Sequence, residues 1–220
     1  MNQQRQQLKH RMLAFLAAQD PAVLISEPDK HTLKAMIDEL VPLTPVPEPI
    51  KHPEKAAGVW NSLFASFGAK HSDEKPIRHT SNLAFQSFGK LPMATIHVTN
   101  IHQEITVEDQ AYNNVIFVAN EPRTASAAVV MKGRYAEDHD NPQRYSVAFS
   151  NVSLQGTDGQ TDEALREQFG LAADTALSVD FKPPTLHSDI VYLDDDLRIN
   201  FGSIGGFYVL QRLDRAGFSI

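Results

Sequence analysis

The chain has 220 residues, of which 42% are hydrophobic, a net charge of −7 and no cysteine. This length and composition are typical of one globular domain with a sizeable core. The acidic balance excludes a dedicated nucleic-acid binder, and the missing thiols exclude disulfides, thiolate metal sites and cysteine catalysis.

The first predicted element is an amphipathic helix that begins near Gln4. Its apolar side chains recur at helical spacing on one face: Leu8, Met12, Phe15 and Leu16. We expect Arg5, Lys9 and Arg11 to point outward. The first 19 residues carry no acid and lack the continuous apolar run of a signal peptide. An amphipathic transit peptide is the alternative, and the helical spacing favours a native first helix.

A second helix is predicted to start at Ser26 or Asp29, which are both good N-cap residues, and to stop at Pro42. Its buried face consists of Leu33, Met36, Ile37 and Leu40. A proline-dense connector follows and is expected to be extended and semi-rigid. We therefore divide the chain into a helical segment over 1–41 packed on the rest, a connector over 42–57 and a β domain over 58–220.

From Gly58 onward the hydrophobic period is mostly two, which is typical of β-strands. Alternating stretches occur at 101–107, 114–118, 175–181 and 197–201, and a last strand is predicted over about 207–213. One exception is 162–169, whose composition favours a short helix. Many short strands separated by turn residues predict an antiparallel sandwich or barrel.

The candidate chemical groups are nine histidines and an acidic run. His97 and His102 are five residues apart, so in an unbroken strand they would face opposite sides and would not share a metal ion. His71 and His79 lie in a polar, loop-like stretch. Asp194–Asp196 is interpreted as a hairpin turn, because aspartate favours turns and the calcium-loop pattern is absent.

Nucleotide-binding and serine-hydrolase motifs are also absent from the sequence. The glycine-rich segment 202–206 lies between two predicted strands, so we interpret it as a hairpin turn and not as a phosphate-binding loop. The sequence therefore assigns no catalytic residue, no metal and no cofactor.

Two motifs carry a family resemblance. Gly58-Val59-Trp60 opens the β region and contains the only tryptophan, and it resembles the Gly-x-Trp that begins lipocalin-like (calycin) barrels. Residues 190–200, with the glycines at 202, 205 and 206 and the apolar stretch 207–212, resemble the closing segment of the plastid lipid-associated protein (fibrillin) family. Members of that family typically read Tyr-Leu-Asp-x-Asp-Leu-Arg-Ile there. Gln103 and Asn113-Asn114 are weaker matches in the same order.

The resemblance implies a mainly β (α+β) fold, with an N-terminal helix pair followed by an antiparallel lipocalin-like β-barrel of about eight to ten strands. It implies non-catalytic binding of an apolar small molecule of the lipid, isoprenoid, quinone or carotenoid class in a barrel cavity. The alternatives are a structural protein that coats a membrane or lipid body through its first helix, and an enzyme acting in the barrel mouth.

The family motif places candidate ligand contacts at Gln103, Asn114, Tyr192, Asp194 and Arg198. In calycin barrels the indole of the first strand closes one end under an arginine from a late strand. Barrel closure is therefore assigned to Gly58, Trp60 and an arginine, with Arg212 as first choice and Arg198 as the alternative. The ligand mouth is then expected at the opposite end.

The expected partners are an apolar small molecule or lipid, with peripheral association to membranes or lipid bodies, and no nucleic acid. The chain departs from the plant members at Phe201, where a basic residue is usual, and we expect no long plant transit peptide. We therefore expect a cytoplasmic protein of bacterial or cyanobacterial type and not a plastid one.

Overall fold

The structure is a computed structural model that describes residues 2–66, 75–157, 159–183, 186–203 and 205–213. The described helices are α1 (Asn2–Ala17), α2 (Glu27–Leu40), α3 (Pro53–Ala56), α4 (Leu83–Gln86) and α5 (Asp162–Gln168). The described strands are β1 (Gly58–Ser66), β2 (His79–Asn82), β3 (Thr95–Ile105), β4 (Tyr112–Asn120), β5 (Ser126–Glu137), β6 (Arg144–Gly156), β7 (Ser178–Asp180), β8 (Leu186–Leu193), β9 (Leu197–Gly202) and β10 (Phe207–Arg212). His71 and residues 214–220 of the predicted β domain lie outside the described residues.

The two N-terminal helices form where their apolar spacing predicts them. Ser26 caps α2, since its side chain accepts a hydrogen bond from the backbone N–H of Asp29 at 3.2 Å. The α-helix ends at Leu40, and a 3₁₀ turn over Val41–Leu43 follows. Proline at 42 lacks the N–H that a longer helix would need.

Lys9 corrects one expectation for α1. Its side chain points inward and is 8% exposed, and its ammonium group lies 2.9 Å from the carboxylate of Asp194. It also pairs with Asp196. Arg11, in contrast, is exposed and pairs with Glu39 of α2 at 2.9 Å. The outward placement of Lys9 was wrong, because helical spacing marks the apolar face but does not reveal an acidic partner 185 residues away.

The connector is not extended throughout. It contains a 3₁₀ turn over Pro49–Lys51 and the short helix α3, each with a proline at its first position. Proline is favourable there because its fixed φ suits the first turn and no N–H is lost. Ile50 and Ala56 are buried, so the connector packs against the barrel instead of bridging to it as a free strap.

Eight antiparallel strands close into a barrel in the order β1-β10-β9-β8-β6-β5-β4-β3 and back to β1. Closure is direct, because Trp60 of β1 lies opposite Arg212 of β10 and also opposite Gln103 of β3. β2 and β7 pair at the outside of this circuit, with β3 and β6 respectively. The predicted fold, a helix pair followed by an antiparallel lipocalin-like barrel, is confirmed.

A bulge between Val98 and Asn100 shifts the register of β3 against β4. It places His97 and His102 on the same outer face, where the ring of His102 packs edge-on against Phe117 at 4.7 Å. The prediction that the two histidines face opposite sides was wrong. It assumed an unbroken strand, and the extra residue of the bulge reverses the alternation between them. In the described part of the chain no group of three or more metal-ligating side chains is found.

The described core has two main parts. The inner part fills the barrel, and the outer part lies between the barrel wall and helices α1 and α2. The outer part is built by side chains of β8 and β9 and by the helical faces: Met12, Leu16, Leu33, Ile37, Leu40, Tyr192, Leu197 and Ile199. Because strand side chains alternate, Arg198 and Asn200 of β9 must point into the barrel. None of the described helices has the length and apolar character needed to cross a bilayer.

Candidate functional site

Trp60 lies at one end of the barrel, which we call the sealed end. Its side chain is fully buried, and its indole N–H donates to the backbone carbonyl of Ala56 at 2.9 Å. The guanidinium of Arg212 lies 4.1 Å from the ring centroid and that of Arg198 lies 4.8 Å away. The two arginines, which the sequence offered as alternatives, therefore both contact the indole.

Arg212 ties three segments together at this end. Its guanidinium donates to the backbone carbonyls of Lys55, Ala57 and Asp195, each at 2.6 Å. These carbonyls belong to the connector and to the turn between β8 and β9. A lysine has no planar fork with which to reach three acceptors in different directions.

Gly58 makes room for this arrangement. Its φ is +126°, and a Cβ placed on it would lie 2.5 Å from Nη1 of Arg212. A side chain there would meet both an unfavourable backbone conformation and the guanidinium.

We expect Gly58→Ala to lower the free energy of unfolding by about 2–4 kcal/mol, since it combines backbone strain with displacement of Arg212. Urea denaturation measures this loss. Gly89→Ala is the matched control, because Gly89 has a φ of +72° but nothing within 4 Å of an added Cβ. Equal losses in the two variants would show that the contact with Arg212 contributes nothing.

A polar network lies inside the barrel next to Trp60. Nη2 of Arg198 donates to the side-chain oxygen of Gln103 at 2.6 Å, and the hydroxyl of Tyr112 donates to the same oxygen at 3.1 Å. The Tyr112 hydroxyl also lies 3.4 Å from Oγ of Ser188, which accepts from the amide of Asn200 at 2.9 Å. The network thus joins four strands across the barrel interior.

This network does not provide a hydrogen-bond partner for every N–H group of the Arg198 guanidinium. It is 0% exposed, and its Nε and Nη1 groups have no hydrogen-bond partner among the described residues. Burial lowers the pKa of Arg198 to about 10, with nearby Tyr112 opposing the shift and Arg212 adding to it. The guanidinium therefore remains protonated at neutral pH and places a positive charge in the barrel interior.

The five positions that the family motif offered as ligand contacts fall into two places. Gln103, Asn114 and Arg198 point into the barrel. Tyr192 and Asp194 lie outside it under α1, where the Tyr192 hydroxyl donates to Asp194 at 2.6 Å. A ligand in the barrel would touch only the first three.

Three members of the interior network were not singled out by the sequence. Asn200 follows Arg198 by two positions, so strand periodicity places both side chains on the same face. The inward direction of Asn200 could therefore have been predicted from the sequence. Tyr112 and Ser188 carry no local signal, because their role depends on strands that are distant in sequence meeting across the barrel.

Two cavities found among the described residues both lie outside the barrel interior, where a ligand cavity was expected. One, of about 40 Å³, lies between the end of α1, β1 and residues 75–77. The other is an open cleft on the outer face of β6 and β7. The interior described here is instead occupied by packed side chains.

The end opposite Trp60, which we call the far end, has a different character. It is covered by α4, α5 and the segment that follows α4. Large apolar side chains are exposed in this region: Phe85 at 60%, Phe88 at 48% and Met93 at 81%. Leu83 and Leu91 from the same segment are buried in the inner core.

A closed eight-stranded antiparallel barrel, preceded by two helices and sealed at one end by a tryptophan under arginines, defines a lipocalin-like protein. The profile of the PAP_fibrillin family matches residues 6–211, and the chain belongs to that family. This confirms the resemblance carried by the motifs at 58–60 and 190–212. The family is generally non-catalytic. No curated protein and no solved structure matched the chain.

Proposed function

We propose that this chain binds an apolar small molecule of the lipid, isoprenoid, quinone or carotenoid class inside its barrel, non-covalently and without catalysis. The main observation in support of this proposal is that the barrel interior has a polar part and a mostly apolar part. The polar network lies toward the sealed end. Most inward side chains toward the far end are apolar, among them Ile96, Val98, Val118, Ala127, Val129 and Leu154. Asn120 is a polar exception, and its side-chain amide donates to the backbone carbonyl of Gln168 at 2.8 Å.

This division suits an elongated ligand with one polar end. Binding sites for small molecules are mostly apolar with a few polar anchors, and an eight-stranded barrel is wide enough to hold one small ligand. Because the sealed end is closed by Trp60 and Arg212, the ligand enters at the far end. Leu83 and Leu91 are packed into the interior there, so entry requires them to be displaced.

We expect an organic extract of the purified protein to contain a stoichiometric apolar molecule by mass spectrometry, and the delipidated protein to bind added retinol. Energy transfer from Trp60, the only tryptophan, to bound retinol reports the binding. Val129→Phe should weaken retinol binding, because Val129 is fully buried in the inner core. Val130→Phe is the matched control. Val130 follows Val129 on the same strand and is also buried, but its side chain faces the outside of the barrel.

The carrier function is contradicted if the extract is empty and the wild-type protein does not bind retinol. Equal binding by the two valine variants, with both folded by circular dichroism, would place the ligand outside the barrel. Where neither variant folds, the extract and the wild-type titration decide.

The second candidate is a protein that coats a membrane or lipid body from the cytoplasmic side. It is favoured by the exposed Phe85, Phe88 and Met93, near which the ammonium of Lys75 lies 5.0 Å from the Phe85 ring centroid. Apolar and basic side chains together suit an interface with anionic lipids. We assign this contact to the far end and not to α1, because α1 buries Met12 and Leu16 against α2 and the barrel. Flotation with liposomes by protein that carries no extractable ligand would favour the coat function over the carrier.

A further inference from the structure

The guanidinium of Arg198 presents an unmatched charge in the barrel interior. None of the ion pairs found among the described residues includes Arg198, although its side chain is fully buried. Moving a charge out of water is costly unless a counter-charge and hydrogen bonds replace the lost hydration. Among the described residues one neutral acceptor, the amide oxygen of Gln103, supplies the only hydrogen bond to the group.

The neighbours of Arg198 indicate which kind of chemical group could pair with its guanidinium. One neighbour is the indole of Trp60, and another is a second cation, Arg212, which makes the local charge more positive. Tyr112 directs its hydroxyl to Gln103 and Ser188. The two unmatched groups of Arg198 itself, Nε and Nη1, are hydrogen-bond donors, and the unmatched interior oxygens of Asn114 and Asn200 are uncharged. The missing partner is therefore an acceptor that carries negative charge.

We propose that Arg198 is the anchor for the carboxylate of an apolar carboxylic acid held in the barrel. A carboxylate accepts from arginine in a bidentate or closely related geometry and neutralises the buried charge. The inference rests on the proposed carrier function and narrows its ligand to acids with a long apolar tail. The tail lies between Arg198 and the far end, where it takes the place of apolar side chains, such as Leu83 and Leu91, that fill the interior in this structure.

The polarity of the barrel sets the orientation of this ligand. Arg198 lies beside Trp60 at the sealed end, so the carboxylate is the innermost part and the tail points to the far end. A neutral alcohol of the same length would make the same apolar contacts as the acid but would leave the guanidinium without a counter-charge. An amine of the same length places a second cation beside Arg198 and Arg212.

The test is a titration of the delipidated full-length protein at pH 8 with hexadecanoic acid, 1-hexadecanol and hexadecylamine, each below its aggregation concentration. Binding is measured by calorimetry and by the emission of Trp60, whose ring centroid lies 4.8 Å from the guanidinium carbon of Arg198. We expect the acid to bind at least about tenfold more tightly than the alcohol, which is the effect of one charge-assisted contact, and the amine to bind most weakly.

Arg198→Met removes the charge while retaining an apolar side chain of similar length. This variant is expected to bind acid and alcohol with equal affinity. Arg134→Met, which removes an exposed arginine from the outer face of β5, is the matched control and should keep the preference for the acid.

The carboxylate site is overturned if the wild-type protein binds acid and alcohol equally, or if folded Arg198→Met keeps the preference for the acid. In both cases binding of the alcohol preserves the carrier function. Failure of the wild-type protein to bind any of the three compounds overturns the carboxylate site together with the carrier function. The wild-type ranking of acid, alcohol and amine decides the question even if the variant does not fold.

Discussion

Trp60→Ala is expected to lower the free energy of unfolding by about 3–5 kcal/mol, the usual cost of removing a fully buried aromatic side chain. The indole is 0% exposed, and it supports the first strand at the point where the barrel closes on β3 and β10. Urea denaturation followed by circular dichroism measures the loss. Phe85→Ala is the control, because Phe85 is 60% exposed, and it should change stability by less than about 0.5 kcal/mol.

A double-mutant cycle with Arg212→Ala tests whether the two ends of the β region are coupled. The guanidinium lies 4.1 Å from the indole centroid, so we expect an interaction energy of about 0.5–2 kcal/mol. A second cycle with Arg198→Ala measures the other contact, at 4.8 Å. Additive losses in both cycles would show that the stacked groups do not stabilise barrel closure.

Lys9→Ala is expected to cost about 3–5 kcal/mol, because it leaves the buried carboxylate of Asp194 without its counter-charge. Lys9 and Asp194 have side chains that are 8% and 7% exposed, and their contact attaches α1 to the turn between β8 and β9. Arg11→Ala is the matched control on the same helix. Its pair with Glu39 is about half exposed on both sides, so its loss should cost no more than about 1 kcal/mol. Equal losses in the two variants would contradict a special role for the buried pair.

The same pair gives α1 a pH dependence of defined sign. Burial raises the pKa of Asp194, but hydrogen bonds with Asp196, Tyr192 and Lys9 outweigh it and lower the pKa to about 2, from 3.8 in an unfolded chain. A carboxyl whose folded pKa is depressed stabilises the fold above its unfolded pKa and loses that contribution as the pH falls through the folded value. The stability difference between the wild type and Asp194→Asn should therefore be constant from pH 7 to about pH 5 and shrink from about pH 4 to pH 2. A difference that grows with acid would contradict the assignment.

Local patterns in the sequence are sufficient for most of the element assignments. Ser26 and Pro42 bracket α2, because capping and a missing N–H act within a few residues. Alternation over 114–118 predicts β4, and Ile116 and Val118 indeed face the inner core while Val115 faces outward. The Gly-x-Trp and closing motifs also identified the family and therefore the closed barrel, which periodicity alone left open between a sandwich and a barrel.

The connector and β3 show where local patterns fail. Five prolines predict an extended chain, yet two of them start short helical turns. Barrel side chains bind both turns, since Tyr145 donates to the carbonyl of Pro49 and Arg212 donates to that of Lys55. The bulge at Val98–Asn100 is not marked by a glycine or proline, and it reverses the relation between His97 and His102. The helical turns in the connector and the bulge in β3 both depend on contacts with neighbouring strands and loops, which local sequence patterns do not reveal.

The sequence by itself determined the helix pair, the alternating strands, the turns and the residues that meet at the sealed end. Only the tertiary structure decided that Lys9 points inward, that Tyr192 and Asp194 lie outside the barrel, and that Arg198 is buried with no counter-charge among the described residues. The physical reason is the range of the interactions involved. Propensity, capping and periodicity act over a few residues, whereas the charge and burial of Lys9 and Arg198 depend on partners 185 and 95 positions away along the chain.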